Sequence, residues 1–239
     1  MKLGANRMKK IGIIGAMDEE VKQLKDKMSD VQVKTKASMD FYSGTIHGKE
    51  VVVVRSGIGK VNAAICTQIL IDEFQIEAVI NTGIAGSLKA EINIGDIVLS
   101  TDTLQHDMDV TGFGHAYGVI PRMETSTFPA DKGLIQLAKK ICENVNPDIQ
   151  VYLGRVVSGD QFIDDKNKKN WIASQFQGFC TEMEGAAIAQ TSYLNHIPFL
   201  IVRAISDKAD DSANMDYYEF EAQAIRHTVK LMTGILAEI

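Results

Sequence analysis

The chain has 239 residues, 45% hydrophobic and 23% charged, which is ordinary globular usage in a chain long enough to bury a sizeable core. A formal charge of −6 and a pI near 5.4 disfavour non-specific attraction to nucleic acid or to an anionic membrane surface. Cys66, Cys142 and Cys180 are odd in number and unpaired in spacing, which excludes a disulfide framework or a zinc pattern and fits reduced thiols in a cytoplasm.

In chain order, the basic residues 1–7 read as a leader extension and a single domain is expected over 8–239. The apolar run 10–15 predicts a strand, followed through Gly15-Ala16-Met17 by a helix over 18–28. Asp18, Glu19 and Glu20 fall in its first turn, where acids complement the helix dipole without needing any chemistry. Residues 41–47 and 50–56 predict strands joined by the His47-Gly48-Lys49 turn, an antiparallel hairpin.

Gly57-Ile58-Gly59-Lys60 then leads into a helix at 61–74. Asn62 stands where a dinucleotide fingerprint needs its third glycine. Val61 and Val54 break a phosphate-binding Gly-Lys loop, so the segment reads as a strand-to-helix turn. Further strands are expected at 78–82, 96–103, 151–158 and 199–204, and helices at 130–145, 165–176, 184–194 and 216–238. In the last helix Phe220, Ala224, His227, Leu231 and Ile235 recur at helical spacing, an ordinary packing stripe.

This alternation predicts the α/β class: one domain, with a mixed twisted β-sheet surrounded by helices. No apolar run approaches the roughly 20 residues of a membrane helix. The weakly patterned stretch 104–128 is long for a compact domain, and such loops tend to carry function. It holds His106, Asp107, Asp109 and His115, but a polar surface loop has the same composition and no metal is expected. No Gly-x-Ser-x-Gly or His-Glu-x-x-His motif occurs, which removes two common hydrolase chemistries.

Three junctions carry acids where open α/β sheets place their ligands. The first runs from residue 11 to Glu20. The second, 179–187, sets Glu182 and Glu184 around Met183 ahead of a small-residue helix. The third places Asp207 just beyond the strand 199–204, with Arg203 inside that apolar run. A charge buried there is costly without a partner, and a structural Arg–carboxylate pair would account for it as well as a ligand would.

With residues 56–61 and Val157-Ser158-Gly159-Asp160-Gln161-Phe162-Ile163, these junctions resemble the bacterial 5′-methylthioadenosine/S-adenosylhomocysteine nucleosidases, from about Met8 to the C-terminus and in family order. The resemblance implies a nucleoside phosphorylase-like fold and hydrolysis without a cofactor. It implies Asp207 as the acid at adenine N7, Glu20 as the base for water, Glu184 on the ribose hydroxyls and Arg203 near the water. Phe162 and Ile163 would meet the base, Met183, Met17 and Ile58 the sugar, and Ala85, Gly86 and Ser206 the base border, with Ser206 also orienting Asp207. Tyr217, Val110 and, from a second subunit of a homodimer, Phe113 and Pro121 would enclose the 5′ group.

Cleavage of a glycosidic bond builds positive charge on the sugar and negative charge on the base, so an acid and a base on separate sides suit it. Asp207 must then hold a proton while Glu20 is ionised, which requires unlike surroundings. Two positions depart from the family: Ile84 stands where many relatives carry serine near the water, and His115 where an aromatic is frequent. Other readings are a phosphorylase of this fold, a futalosine-type or 5′-deoxyadenosine nucleosidase, and a non-catalytic adenosine sensor. Phosphate would meet repulsion from Glu20, and a sensor needs no acid–base pair.

Overall fold

Strand β1 (Lys10–Gly15) is buried along nearly its whole length and lies between two parallel neighbours, β4 (Lys49–Arg55) and β5 (Ala78–Ser87). A strand covered on both faces needs apolar side chains at successive positions, which is why Ile11, Ile13 and Ile14 show no alternation. The structure is a computed structural model that describes residues 8–210 and 213–239, without the side chains of 214–216. The proposed leader, 1–7, lies outside the described residues.

Outward from β4, β3 (Met39–Ile46) and β2 (Ser29–Lys36) add antiparallel strands, the β3–β4 pair being the expected hairpin. On the other side β5 pairs in parallel with β10 (Phe199–Asp207), which pairs antiparallel with β6 (Ile97–Gln105). β6 also pairs with the two-residue β7 (Phe128–Pro129) and, in parallel, with β8 (Val151–Ser158). β8 pairs with β9 (Cys180–Glu182), and β9 returns to the end of β5. Five of the strands thus close on themselves, and the mixed sheet is part ribbon and part barrel.

Among the described residues six helices cover it: α1 (Asp18–Lys25), α2 (Lys60–Phe74), α3 (Lys132–Val145), α4 (Lys166–Phe176), α5 (Gly185–Leu194) and α6 (Ala213–Glu238). Side chains such as Val52, Val53, Ile80, Leu200 and Ile201 are fully buried between these layers. Each contributes about 1.5–3 kcal/mol relative to exposure. On α6, Ala224, Leu231 and Ile235 are buried as the stripe required, and His227 Nδ1 meets the Gly95 carbonyl at 2.8 Å.

The structure corrects the element reading in several ways, beginning with the short β7 and β9, which were not expected as strands, and α6, which starts at Ala213 instead of residue 216. β2 was not expected, because all eight of its residues are exposed and no buried face marks it. α1 ends at Lys25 instead of residue 28. β5, β6 and β10 run two to five residues past their expected ends at 82, 103 and 204, since polar and glycine residues continue the ladder where the apolar pattern stops. Asp207 therefore ends a strand, and does not lie beyond one.

Candidate active site

The prolonged ends of β5 and β10 form the floor of a cavity of about 410 Å³ at the C-terminal side of the parallel strands. Glu20, third in α1, turns its carboxylate back into the cavity. Oε2 accepts the Ala16 and Met17 N–H groups at 2.6 and 3.1 Å, and Oε1 accepts the Ile84 N–H at 3.2 Å. A place in the first turn of a helix and a place in the cavity wall thus coincide in one buried side chain. Gly83 makes room for it: a Cβ there would stand 2.7 Å from Glu20 Oε1 and 3.2 Å from an Arg203 nitrogen. Burial pushes the Glu20 carboxyl above its ordinary value, opposed by the charge of Arg203 and the three N–H groups.

Asp207 reaches the cavity through an irregularity in the ladder. Ile205 pairs with Ala85 and Asp207 with Gly86, so Ser206 is an extra residue and the strand end is re-aimed. Its carboxyl accepts the Ser206 hydroxyl at 2.8 Å on Oδ2 and the Ala209 N–H at 2.8 Å on Oδ1. Asp207 and Ser206 are buried and line the cavity with Ala85, Gly86 and Ile84.

The second junction supplies two buried acids with different work. Glu182, at the end of β9, takes the Ser158 hydroxyl and Arg203, and its Oε2 accepts the Glu184 and Gly185 N–H groups at 3.2 and 2.7 Å. Glu184 stands at the N-terminal boundary of α5, where its side chain, instead of capping the helix, accepts the Gly59 N–H at 2.8 Å. Burial and the neighbouring Glu182 charge push the Glu184 carboxyl up, against Arg203 and the Gly59 N–H. Arg203, fully buried, also donates to Asn81 and to the Val202 carbonyl at 3.0 Å. Burial disfavours its cation, but the charges of Glu182, Glu184 and Glu20 outweigh that and hold it protonated.

Arg203 does not line the cavity. It is the structural Arg–carboxylate pair weighed from the sequence, and it acts on Glu20 and Glu184 through charge. Its partner Glu182, though noted at the junction, was not among the expected site residues. No spacing signal links β9 to β10, which meet through β5.

Of the other expected residues, Met17, Ile58, Phe162, Ile163, Met183 and Tyr217 all line the cavity. Phe162 stands edge-on to Tyr217 with ring centroids 6.0 Å apart, and the Tyr217 hydroxyl meets Met17 Sδ at 3.3 Å. Ala16, Gln161, Thr181 and Tyr218 line it too and were not expected. Val110, Phe113 and Pro121 do not reach the cavity of their own chain; Phe113 sits on a single 3-10 turn, 89% exposed.

The metal-like cluster is dispersed. His106 is buried, and burial pushes its imidazole down to about 4; Asp107 pairs with Lys60 at 2.6 Å, and Asp109 accepts the Thr111 N–H at 3.0 Å. His115 is exposed. Among the described residues no group of three His, Cys, Asp or Glu side chains is placed to hold a metal ion.

Residues 10–237 match the phosphorylase superfamily. The chain is 42% identical to a 5′-methylthioadenosine/S-adenosylhomocysteine nucleosidase of Bacillus cereus (strain B4264), over 96% of this chain and 99% of that protein. Its structure is similar to the nucleosidase of that name from Neisseria meningitidis in complex with methylthio-immucillin-A, with a TM-score of 0.93, 38% identity, and 97% and 100% of the two chains covered. It is also similar to a futalosine hydrolase of Helicobacter pylori, with a TM-score of 0.92, 33% identity, and 97% and 99% covered.

Proposed function

We infer the reaction from the family: the chain belongs to the phosphorylase superfamily and, within it, to the 5′-methylthioadenosine/S-adenosylhomocysteine nucleosidases. It is an N-glycosyl hydrolase that releases adenine from 5′-methylthioadenosine and S-adenosylhomocysteine, leaving the 5-thioribose product.

The observation that favours water over phosphate is the charge of the cavity. Its ionisable wall consists of Glu20, Glu182, Glu184, Asp207 and two tyrosines, and no Lys, Arg or His among the described residues lines it. A phosphate dianion needs cationic or backbone donors, and this wall offers it four carboxyl groups and no cation. The same wall suits a sugar that gains positive charge as the bond breaks.

In the mechanism we propose, Glu20 takes a proton from water as it attacks the anomeric carbon, and Asp207 protonates the departing adenine at N7. Burial supports the first role, because a carboxyl whose pKa burial raises is a stronger base than an exposed one. The two acids bracket β5, near Gly83 and Gly86, three residues and roughly 10 Å of strand apart, which leaves room for a ribose and its bond to the base. Ser206 orients Asp207, Glu184 takes the ribose hydroxyls, and Met17, Met183 and Ile58 pack the sugar. Ala85 and Gly86 border the base, while Phe162 stacks on it and Ile163 meets its edge. Tyr217 covers the 5′ group.

We further propose a homodimer, cytoplasmic, in which Val110 and the partner's loop with Phe113 and Pro121 close the 5′ end. The exposure of Phe113 supports it. A monomer by sedimentation at fully active concentrations would remove that reading. The test of the reaction itself is incubation with methylthioadenosine in phosphate-free buffer while free adenine is followed. Release without phosphate is expected; strict dependence on phosphate would make the chain a phosphorylase. Futalosine belongs in the same panel, given the similarity to the Helicobacter pylori hydrolase.

A further inference from the structure

The Gly59-Lys60 turn, which matches no phosphate-binding motif, joins three segments of the site. Lys60 Nζ donates to Asp107 Oδ1 at 2.6 Å and to Gln105 Oε1 at 2.9 Å. Asp107 Oδ2 accepts the Asp160 N–H at 2.9 Å, and Asp160 Oδ1 accepts the Lys60 N–H at 2.8 Å. Three hydrogen bonds therefore close a ring through Lys60, Asp107 and Asp160, in which side chain and backbone of Lys60 are both used.

The ring has a functional edge on either side. Next to Lys60, the Gly59 N–H holds Glu184 at 2.8 Å; next to Asp160, Gln161 leads to Phe162 and Ile163. Gly59 has a φ of 95°, and a Cβ on it would stand 3.1 Å from Asp160 Oδ1, so the turn is shaped to lie against that loop. Gln105 extends the ring to the helix behind Glu184 by donating to Gln190 of α5 at 2.6 Å. The Lys60 and Asp107 side chains are only 18% and 17% exposed, where an ion pair is screened far less than on the surface.

We propose that Lys60 is a positioning residue which, through this ring, fixes the distance between the ribose-holding Glu184 and the base-holding loop of Phe162 and Ile163. It touches no reacting atom. Because both sides it ties together bind the nucleoside before and during reaction, its loss weakens binding and leaves the chemical step nearly alone. The proposal rests on the nucleosidase reading for the identity of the ligand.

The test uses Lys60→Met, Lys60→Arg and Asp160→Ala in the full chain, with KM and kcat for methylthioadenosine and the equilibrium Kd of a non-hydrolysable adenine C-nucleoside. Lys60→Met and Asp160→Ala are expected to raise KM and Kd roughly tenfold, the size typical of one coupled network contact, with kcat within about threefold of wild type. Lys60→Arg, which can still reach Asp107, should recover most of the affinity. A role in folding alone would lower the melting temperature and the active fraction without moving KM. Kd within about twofold of wild type in both Lys60→Met and Asp160→Ala, or a fall in kcat alone, overturns the proposal. Asp160 is exposed, so its variant reports even where Lys60→Met folds poorly. The Kd needs no turnover, so a wild-type protein that binds the nucleoside but releases no adenine would sink the hydrolase reading and leave this one standing.

Discussion

Adding one methyl group at Gly83 tests whether Glu20 is the base. A Cβ at that position would stand 2.7 Å from Glu20 Oε1, whereas non-bonded heavy atoms settle near 3.5 Å, so the carboxylate must retreat by roughly 0.8 Å. It has no easy retreat, because the N–H groups of Ala16, Met17 and Ile84 hold both oxygens and the Arg203 guanidinium is 3.2 Å from the same methyl. Overpacking of this kind costs about 1–3 kcal/mol of stability. A displacement approaching 1 Å of a group that must aim a water costs on the order of 10²-fold in rate. Gly83→Ala should therefore lower kcat about a hundredfold while KM stays within roughly threefold, since Glu184 and Phe162 are untouched. The assay is adenine release over a range of methylthioadenosine concentrations, on protein shown to be folded at the assay temperature. In a Glu20→Gln background the same methyl should add less than about threefold, because the group it displaces is already disabled. A Gly83→Ala enzyme with wild-type kcat, or one whose loss simply multiplies that of Glu20→Gln, would refute the placement of the base.

Asp207→Asn should lower kcat by at least about 10²-fold, as loss of a general acid does, with inhibitor binding largely kept; near-normal turnover would remove Asp207 from the mechanism. Burial raises the Glu20 carboxyl above its ordinary 4.5, so kcat/KM should fall with acid through a pKa above that value, and an acid limb at or below it would contradict the site. The sign for stability is opposite: the folded protein holds that proton more tightly than the unfolded chain, so this contribution is lost as pH rises from 4.5 through the raised value, which melting at several pH values reads. Ile84→Ser should change kcat/KM by less than about tenfold, one hydrogen bond against lost apolar volume, and a hundredfold rise would point to another 5′-substituted adenosine as substrate. Dialysis against EDTA should leave activity unchanged; loss restored by zinc or manganese would revive a metal role for the 106–115 segment.

The alternation of elements, the hairpin at His47-Gly48 and the three acidic junctions were legible in the sequence because each rests on local chemistry: burial on both faces of a strand, turn residues, acids at helix starts. Glu182 shows where that stops. As an acid before a helix it looks like its neighbour Glu184, and only the pairing of β9 with β5 and of β5 with β10 puts it against Arg203. The bulge at Ser206 is equally silent, since no residue type announces that one strand takes two steps for its partner's one. Val110, Phe113 and Pro121 were expected at the pocket by likeness alone, and a single chain leaves them outside it. β2 was missed for the reverse reason: every residue is exposed, and Val31 and Val33 alone make too short an alternation to mark a buried face.

That strand has a colloidal consequence. Because β10 closes onto β5, the sheet is left, among the described residues, with one long free border, the outer side of β2, where unpaired amide and carbonyl groups could template stacking between molecules. Asp30, Lys34 and Lys36 stand along it, and both lysines reach Glu73 on α2. Charge of this kind is what discourages one open border from zipping onto another. The stretch with the least to bury thus sets its charges beside the exposed Val31 and Val33, where insulation against a second sheet is needed.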